Sequence, residues 1–172
     1  MALSWTSASF NSFLICFLLK YFPGDIYVNT LTSASSDIAA SFFSGILYNK
    51  IGPKKALALF FGLAGAAGCM IVFYEHSIHF YDGVPQQRTD LIFPILVLIA
   101  AFGTTAAINT IYIGNVQLFP VLFGATANGI CNFTARIGNI FCPQLAEVQG
   151  LTPMIVFSLL SGAASLSTKF LQ

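Results

Sequence analysis

The chain has 172 residues, of which 56% are hydrophobic and 8% are charged, and its formal net charge is +1. A water-soluble domain carries about 25% charged residues, so this composition excludes an ordinary soluble globule and assigns most of the chain to lipid. The balanced charge also excludes the basic surface that nucleic-acid binding requires.

Uncharged stretches recur along the chain, each near the roughly 20 residues that cross a bilayer. The first ends before Lys20, the second is interrupted only by Asp37, and the third ends before Glu75. The segment 91–135 has no charged residue or histidine and is too long for one span, so we expect a turn at 115–120. The sequence thus predicts an all-α integral membrane protein, a single domain over 1–172 with six transmembrane helices near 3–22, 26–48, 56–75, 91–114, 121–143 and 148–168.

The loop 49–55 contains three basic residues, Lys50, Lys54 and Lys55, and no acidic residue. Basic residues concentrate in the short cytoplasmic loops of membrane proteins. We therefore expect this loop and, with six spans, both termini to be cytoplasmic. The sequence does not indicate which cellular membrane holds the protein.

Small residues recur in the third and sixth spans, for example at Gly62, Gly65 and Gly68 and at Ser161 and Ser165. In lipid, small residues spaced in this way let helix backbones approach closely. The pattern predicts a compact bundle.

Two ionisable residues lie deep in predicted spans, Asp37 in the second and Arg136 in the fifth. Such a residue costs about 2.5–3.5 kcal/mol at the centre of a lipid-facing helix, so each must face a partner or a wet cavity. One interpretation is a polar transport path in which Arg136 binds an anionic or zwitterionic group, and the other is a buried pair that fixes helix register. The other candidates for cavity-lining, substrate-binding residues are Asn11, Asn109, Tyr112 and Asn132.

No nucleophile elbow, phosphate-binding loop, dinucleotide fingerprint or convincing metal-ligand cluster occurs in the sequence. We therefore expect a protein that is not an enzyme, with no cofactor and no metal site.

The segment Gly45-Ile46-Leu47-Tyr48-Asn49-Lys50-Ile51-Gly52-Pro53-Lys54-Lys55 resembles the short basic loop motif of the major facilitator superfamily. In that superfamily the motif joins the second and third helices of each six-helix half. Gly52 permits a tight turn, and Gly45 permits close approach of a second helix.

A second resemblance covers the fourth and fifth spans. It is carried by Gln117-Leu118-Phe119-Pro120, by Ala125-Thr126-Ala127-Asn128-Gly129-Ile130-Cys131, and by Ala135-Arg136-Ile137-Gly138-Asn139-Ile140 with Pro143. These residues are similar to the tenth-to-eleventh helix segment of the organic cation, anion and carnitine transporters of the same superfamily. Asp37-Ile38-Ala39-Ala40 resembles the acidic motif in the eighth helix of that branch.

The chain departs from the branch at Gln117, where its members usually have Glu, and near Gly124, where they usually have Arg. Arg136 stands at a position that tends to be basic in anion and carnitine carriers. The resemblance therefore favours an organic anion or zwitterion over a cation as the solute.

The resemblance implies one six-helix half-bundle of a twelve-helix fold, with the first, second, fourth and fifth spans lining the cavity. The expected function is secondary active or facilitative transport of small organic solutes by a C-terminal half or a truncated form. The expected partners are the lipid bilayer, the solute with a coupling ion, and either a missing N-terminal half or a homodimer mate. A sugar-type carrier of the same superfamily and a non-transporting membrane scaffold are the alternatives.

Overall fold

A computed structural model describes residues 2–20, 26–81, 92–118, 120–148 and 151–168. This part of the chain is 94% helical and has no strand, which confirms the all-α prediction. Its helices are α1 (Ala2–Leu18), α2 (Ile26–Ile51), α3 (Pro53–Tyr81), α4 (Ile92–Leu118), α5 (Val121–Asn139), the short α6 (Cys142–Ala146) and α7 (Thr152–Ser167).

Two helical stretches, Pro53–Ser77 and Pro94–Gln117, are long and apolar enough to cross a membrane. The helices Ala2–Leu18 and Thr152–Ser167 are apolar but shorter. Length and composition alone do not place a helix in lipid, so the arrangement of six spans stays a prediction.

The observed helix ends correct two of the predicted boundaries. The helix α4 continues to Leu118, and Asn115, which was expected in a turn, is helical and 3% exposed. The chain leaves the helix at Pro120 instead, because proline has no N–H for the helical ladder and disfavours helical geometry in the residue before it. The helix α3 extends to Tyr81 rather than ending near 75, since no glycine or proline interrupts 69–81.

The predicted fifth span is also divided, because α5 ends at Asn139 and α6 begins at Cys142. Pro143 explains the division: it cannot donate a hydrogen bond to Asn139, and its ring would collide with that carbonyl in a continuous helix. A tight bond from the Phe141 N–H to the Gly138 carbonyl, at 3.1 Å, closes the turn.

The helix α4 lies between α2 and α3 and also contacts α1 and α5. On the far side α3 packs against α7, and α1 contacts α5, α6 and α7. The large side chains that are fully buried between these helices include Leu14, Phe60, Phe61, Ile71 and Phe157.

Glycines set the spacing of α3 against α4 and α7. A methyl group added to Gly103 of α4 would lie 2.9 Å from the Ala64 nitrogen and 3.0 Å from the Phe60 carbonyl oxygen. A methyl group on Gly65 would lie 3.3 Å from Ser161 Cβ of α7. The close packing predicted from small residues is therefore confirmed in α3 and α7, where dispersion between backbones holds the helices.

The helix α2 is apolar on its outside. Its buried residues are mostly small and polar: Asn29, Ser33, Ser36, Ala40, Ser44 and Tyr48. Its outer face carries large apolar side chains such as Ile38 and Phe42, which are 64% and 72% exposed. A helix on the surface of a water-soluble protein shows the reverse arrangement.

Candidate functional site

Hydrogen bonds between polar side chains join α2 to α4. The Thr105 hydroxyl donates to Asp37 Oδ1 at 2.6 Å, and Asn109 Nδ2 donates to Ser41 Oγ at 3.1 Å. Asp37 and Ser41 are four positions apart on α2, and Thr105 and Asn109 are four positions apart on α4. This spacing places the two side chains of each helix on the same helix face. All four side chains are half-buried or exposed.

Tyr112, also on α4, extends these polar contacts to α5. Its hydroxyl lies 3.4 Å from Asn132 Oδ1, to which it donates, and its ring meets Trp5 of α1 edge-on at 4.5 Å. Asn132 also donates to the backbone carbonyl of Asn128 at 3.0 Å. Tyr112 is 44% exposed, so its ring is available to a bound molecule.

Arg136 lies one helical turn beyond Asn132 on α5 and is exposed. Its guanidinium carbon lies 5.6 Å from the centre of the Phe13 ring on α1, within cation–π range. Asp37 is bound to α4 and Arg136 to α1, so the part of the chain that the structure describes does not contain the buried ion pair that the sequence left open.

These side chains form one surface, which we call the polar face. It consists of Phe13, Asp37, Ser41, Thr105, Asn109, Tyr112, Asn132 and Arg136, contributed by α1, α2, α4 and α5. It offers a carboxylate, a guanidinium, two amides, hydroxyls and aromatic rings, and none of these side chains is fully buried. This arrangement can bind a small polar or charged molecule by hydrogen bonds, charge and aromatic contact.

Asn11 lies elsewhere, although the sequence placed it with the other cavity candidates. It is 0% exposed and sits between α1 and α7, where its Nδ2 donates to Ser161 Oγ at 2.8 Å and lies 3.4 Å from the Phe157 carbonyl. Its Oδ1 has no hydrogen-bond partner among the described residues. The structure therefore brings together five of the six candidates and places Asn11 in a helix–helix contact.

The loop motif forms a one-residue connection between α2 and α3. Gly52 has φ +87°; its N–H bonds to the Tyr48 carbonyl at 3.0 Å, and its carbonyl accepts from Ala56 at 3.1 Å. The tight turn expected at Gly52 is thus confirmed, since only glycine adopts this conformation without strain. The lysines Lys50, Lys54 and Lys55 are all exposed.

The close approach of a second helix that Gly45 permits stays a prediction. No heavy atom of the described residues lies within 4 Å of the position that its Cβ would take. Within those residues, therefore, no second helix approaches Gly45 closely.

Three members of the polar face, Phe13, Ser41 and Thr105, were not among the substrate-binding candidates predicted from the sequence. A signal for Ser41 and Thr105 was present, because Ser41 follows Asp37 by four residues and Thr105 precedes Asn109 by four. On the predicted spans, this spacing alone places each of them on the same helix face as a predicted residue.

Comparison with known proteins gives no match to a family model but does give curated relatives. The chain is 26% identical to organic cation/carnitine transporter 2 of Homo sapiens, over 97% of its own length and 28% of the relative's. It is 24% identical to solute carrier family 22 member 4 of Mus musculus, over 96% of the chain and 29% of the relative. It is likewise 24% identical to organic anion transporter 3 of Oryctolagus cuniculus, over 96% of the chain and 30% of the relative.

These relatives are membrane transporters of the major facilitator superfamily, the class that the loop motif predicts. Within it, the curated homologues of the chain are organic anion, cation and carnitine transporters of solute carrier family 22, and the resemblance identified from the sequence is confirmed. The chain spans 28% to 30% of the length of the three relatives.

Proposed function

We propose that the chain is the C-terminal six-helix half of a multi-pass membrane transporter for small organic solutes, and that the polar face is its part of the solute path. The observation that carries this proposal is the gathering of Asp37, Asn109, Tyr112, Asn132 and Arg136 on one surface. Ionisable residues in membrane helices face a cavity or a partner, and a solute path is the cavity that a transporter requires.

The outer face of α2 supports the membrane location. Large apolar side chains such as Ile38 and Phe42 are stable against lipid or another apolar helix, whereas in water their exposure is unfavourable. We propose the six spans predicted from the sequence, with the lysines of the α2–α3 loop and both termini in the cytoplasm.

A second bundle is part of the proposal, because transport by rocking requires two halves around a central site. The exposed surfaces of α2 and α5 are the surfaces proposed to contact it. At Gly45 on α2 and at Gly124 and Gly129 on α5, no atom of the described residues lies within 4 Å of the position that a Cβ would take, which leaves space for helices of the partner. We propose a missing N-terminal half as this partner, and a homodimer mate is the alternative arrangement.

The charge of the solute follows from Arg136. An exposed guanidinium beside an aromatic ring binds a carboxylate with two parallel hydrogen bonds while the ring contacts the apolar part of the solute. We therefore propose organic anions and zwitterions as the solute class, moved by secondary active or facilitative transport.

Thiol labelling in membrane vesicles that contain the native assembly tests the proposal. The exposed thiols Cys16 and Cys69 are first replaced by serine, while the buried Cys131 and Cys142 are kept. The variants Asn109→Cys, on the polar face, and Asn11→Cys, in the α1–α7 contact, are then treated with a charged, water-soluble thiosulfonate. We expect the first to react and the second to stay unreacted.

Addition of 6-carboxyfluorescein, an organic anion, should slow labelling at position 109 if the solute occupies the polar face. If neither position 109 nor position 11 is labelled, the protein would instead be a scaffold with a dry interior. Protection by glucose but not by the anion would indicate a sugar-type carrier.

A further inference from the structure

The connection between α2 and α3 concentrates positive charge at one end of the bundle. Lys50 lies in the last turn of α2, and Lys54 and Lys55 lie in the first turn of α3. All three side chains are exposed, and they flank the single connecting residue Gly52. We call Lys50, Lys54 and Lys55 together the lysine turn. Since α3 begins at Pro53, the main-chain N–H groups of its first turn lack helical acceptors and add partial positive charge at the same place.

The acidic side chains of the described residues all lie far from the lysine turn. Asp37 is about 20 Å away along α2 and Glu75 is about 30 Å away along α3, at about 1.5 Å per helical residue. Glu147 follows α6, which begins about 28 Å from the end of α4, beyond the whole length of α5. These separations exceed the screening length of about 8 Å at physiological ionic strength. The charge of the lysine turn is therefore available to an anion from outside.

Packing holds the backbone of the lysine turn in place. Before the turn, Tyr48 of α2 is buried, and its hydroxyl donates to Gln117 Oε1 of α4 at 2.5 Å. After the turn, Ala56 and Leu57 of α3 are buried as well. The three lysines thus extend from fixed backbone positions, so less conformational freedom is lost when they bind one anion together.

The outer face of α3 beyond the lysine turn is apolar. Leu59 lies one helical turn after Lys55, and Met70 and Phe73 lie further along the same face; all three apolar side chains are exposed. From Leu59 to Phe73 this face extends for about 21 Å, within a hydrocarbon core of about 30 Å. A charged end followed by an apolar face matches a phospholipid, whose phosphate lies at the membrane surface while its chains extend inward. A soluble phosphate would match the charged end alone.

We propose that the lysine turn binds the headgroup of an anionic phospholipid, whose acyl chains lie along the outer face of α3. Lysine stems extend over apolar surface while their ammonium groups reach the level of the phosphates. Each lysine near an anionic membrane surface contributes about fivefold to binding, so three contribute about a hundredfold. This lipid site rests on the membrane location of the proposed function, and it adds a lipid of a defined headgroup class as a partner.

Native mass spectrometry of the purified full chain in a neutral detergent tests the site without any transport measurement. Dioleoylphosphatidylserine and dioleoylphosphatidylcholine share their acyl chains and differ in headgroup charge. Each is titrated separately, and the dissociation constant of the first bound lipid is measured. We expect phosphatidylserine to bind at least tenfold more tightly. Glycerophosphoserine, which is the same headgroup without acyl chains, should not displace it at equal concentration.

Replacement of all three lysines by glutamine should weaken phosphatidylserine binding at least tenfold, whereas replacement by arginine keeps the charge and should keep the binding. Each single variant, such as Lys55→Gln, should weaken it about fivefold. Lys20→Gln is the matched control: it also removes one exposed lysine, but from the segment after α1, and it should change binding by less than twofold. Because the replaced side chains are exposed, all variants should melt at the temperature of the unchanged chain.

Equal binding of the two lipids would overturn the site, and so would unchanged phosphatidylserine binding in the triple glutamine variant. Displacement by an equal concentration of glycerophosphoserine would show that the ligand is a soluble phosphate, and would also overturn the lipid site. Selective lipid binding with no uptake of organic solutes would refute the proposed function and leave the lipid site in place. Uptake without selective lipid binding would refute the lipid site alone.

Discussion

The two sides of the bundle differ in how closely their helices pack. On the side of α3 and α7, the helices pack closely at Gly65 and Gly68, where an added methyl group would lie 3.3 Å and 2.8 Å from side-chain atoms of α7. On the polar face, α2, α4 and α5 are joined by side-chain hydrogen bonds such as Thr105 to Asp37 and Tyr112 to Asn132. These two glycine contacts leave little room for an added atom. A side-chain hydrogen bond of the polar face can exchange its protein partner for a solute, so we propose that the solute binds on that side.

Replacement of the charge on the polar face should have the largest effect. We expect Arg136→Ala to reduce uptake of 6-carboxyfluorescein by native vesicles at least tenfold, because the guanidinium supplies the charge partner of the anion. The melting temperature should change little, since Arg136 is exposed. Lys54→Ala, which removes an exposed positive charge from the α2–α3 loop, is the control and should keep normal uptake.

On the other side, the most damaging small change is expected at Gly103. A methyl group there meets rigid backbone atoms of α3 at 2.9–3.0 Å, and overpacking of this kind costs about 1–3 kcal/mol. Gly162→Ala on α7 is the matched control, because no atom of the described residues lies within 4 Å of its added methyl group. When the two purified variants are melted, only Gly103→Ala should have a lower melting temperature than the unchanged chain. Equal melting temperatures would contradict the assigned helix spacing.

Asn11 distinguishes the two sides most directly, since the sequence assigned it to one and the structure places it in the other. A double-mutant cycle of Asn11→Ala and Ser161→Ala should give a coupling energy of about 0.6 kcal/mol, the average for hydrogen bonds between membrane helices, and at most about 1.7 kcal/mol. The charge preference of uptake should be unchanged in both single variants. A switch in that preference would return Asn11 to the solute path.

The smallest effect is expected for Tyr112→Phe. The lost hydrogen bond to Asn132 is long, at 3.4 Å, and the aromatic contact with Trp5 is kept. Uptake of the anionic dye should therefore change by about twofold or less, as follows from a net hydrogen-bond contribution of about 0.5 kcal/mol. Tyr112→Ala, which also removes the ring, should be clearly more damaging in the same assay.

The sequence predicted much of the helical fold, because the length of each apolar stretch and the charged residues at its ends indicate where a helix lies. It was less successful at their ends. The turn at Gly52 was found, whereas the fourth span was expected to end near 114 and α4 ends at Leu118, and the division of the fifth span between α5 and α6 was not expected. A proline acts on the residues before it, so composition alone places such a break a few residues away from its true position.

The members of the polar face were only partly predictable. Asn11 and Asn109 are the same residue type in equally apolar stretches, and nothing in either stretch shows which face turns toward which neighbour. An amphipathic helix reveals its inner face by periodicity, but α2 carries large apolar residues outside and small polar residues inside. Only the packing of α2 on α4 showed that Asp37 and Asn109 share a groove.

The construction of α2 also has a consequence for how the chain is made. Asp37 precedes its partner Thr105 by 68 residues. At about 5–20 residues per second of synthesis, a ribosome therefore needs roughly 3–14 s between the two residues. During that interval α2 holds a carboxylate and a row of hydroxyls with no helix to cover them. In the proposed membrane location, we expect the nascent α2 to stay in contact with water, a chaperone or the insertion machinery until α4 is made, and the two helices to enter the membrane as a pair.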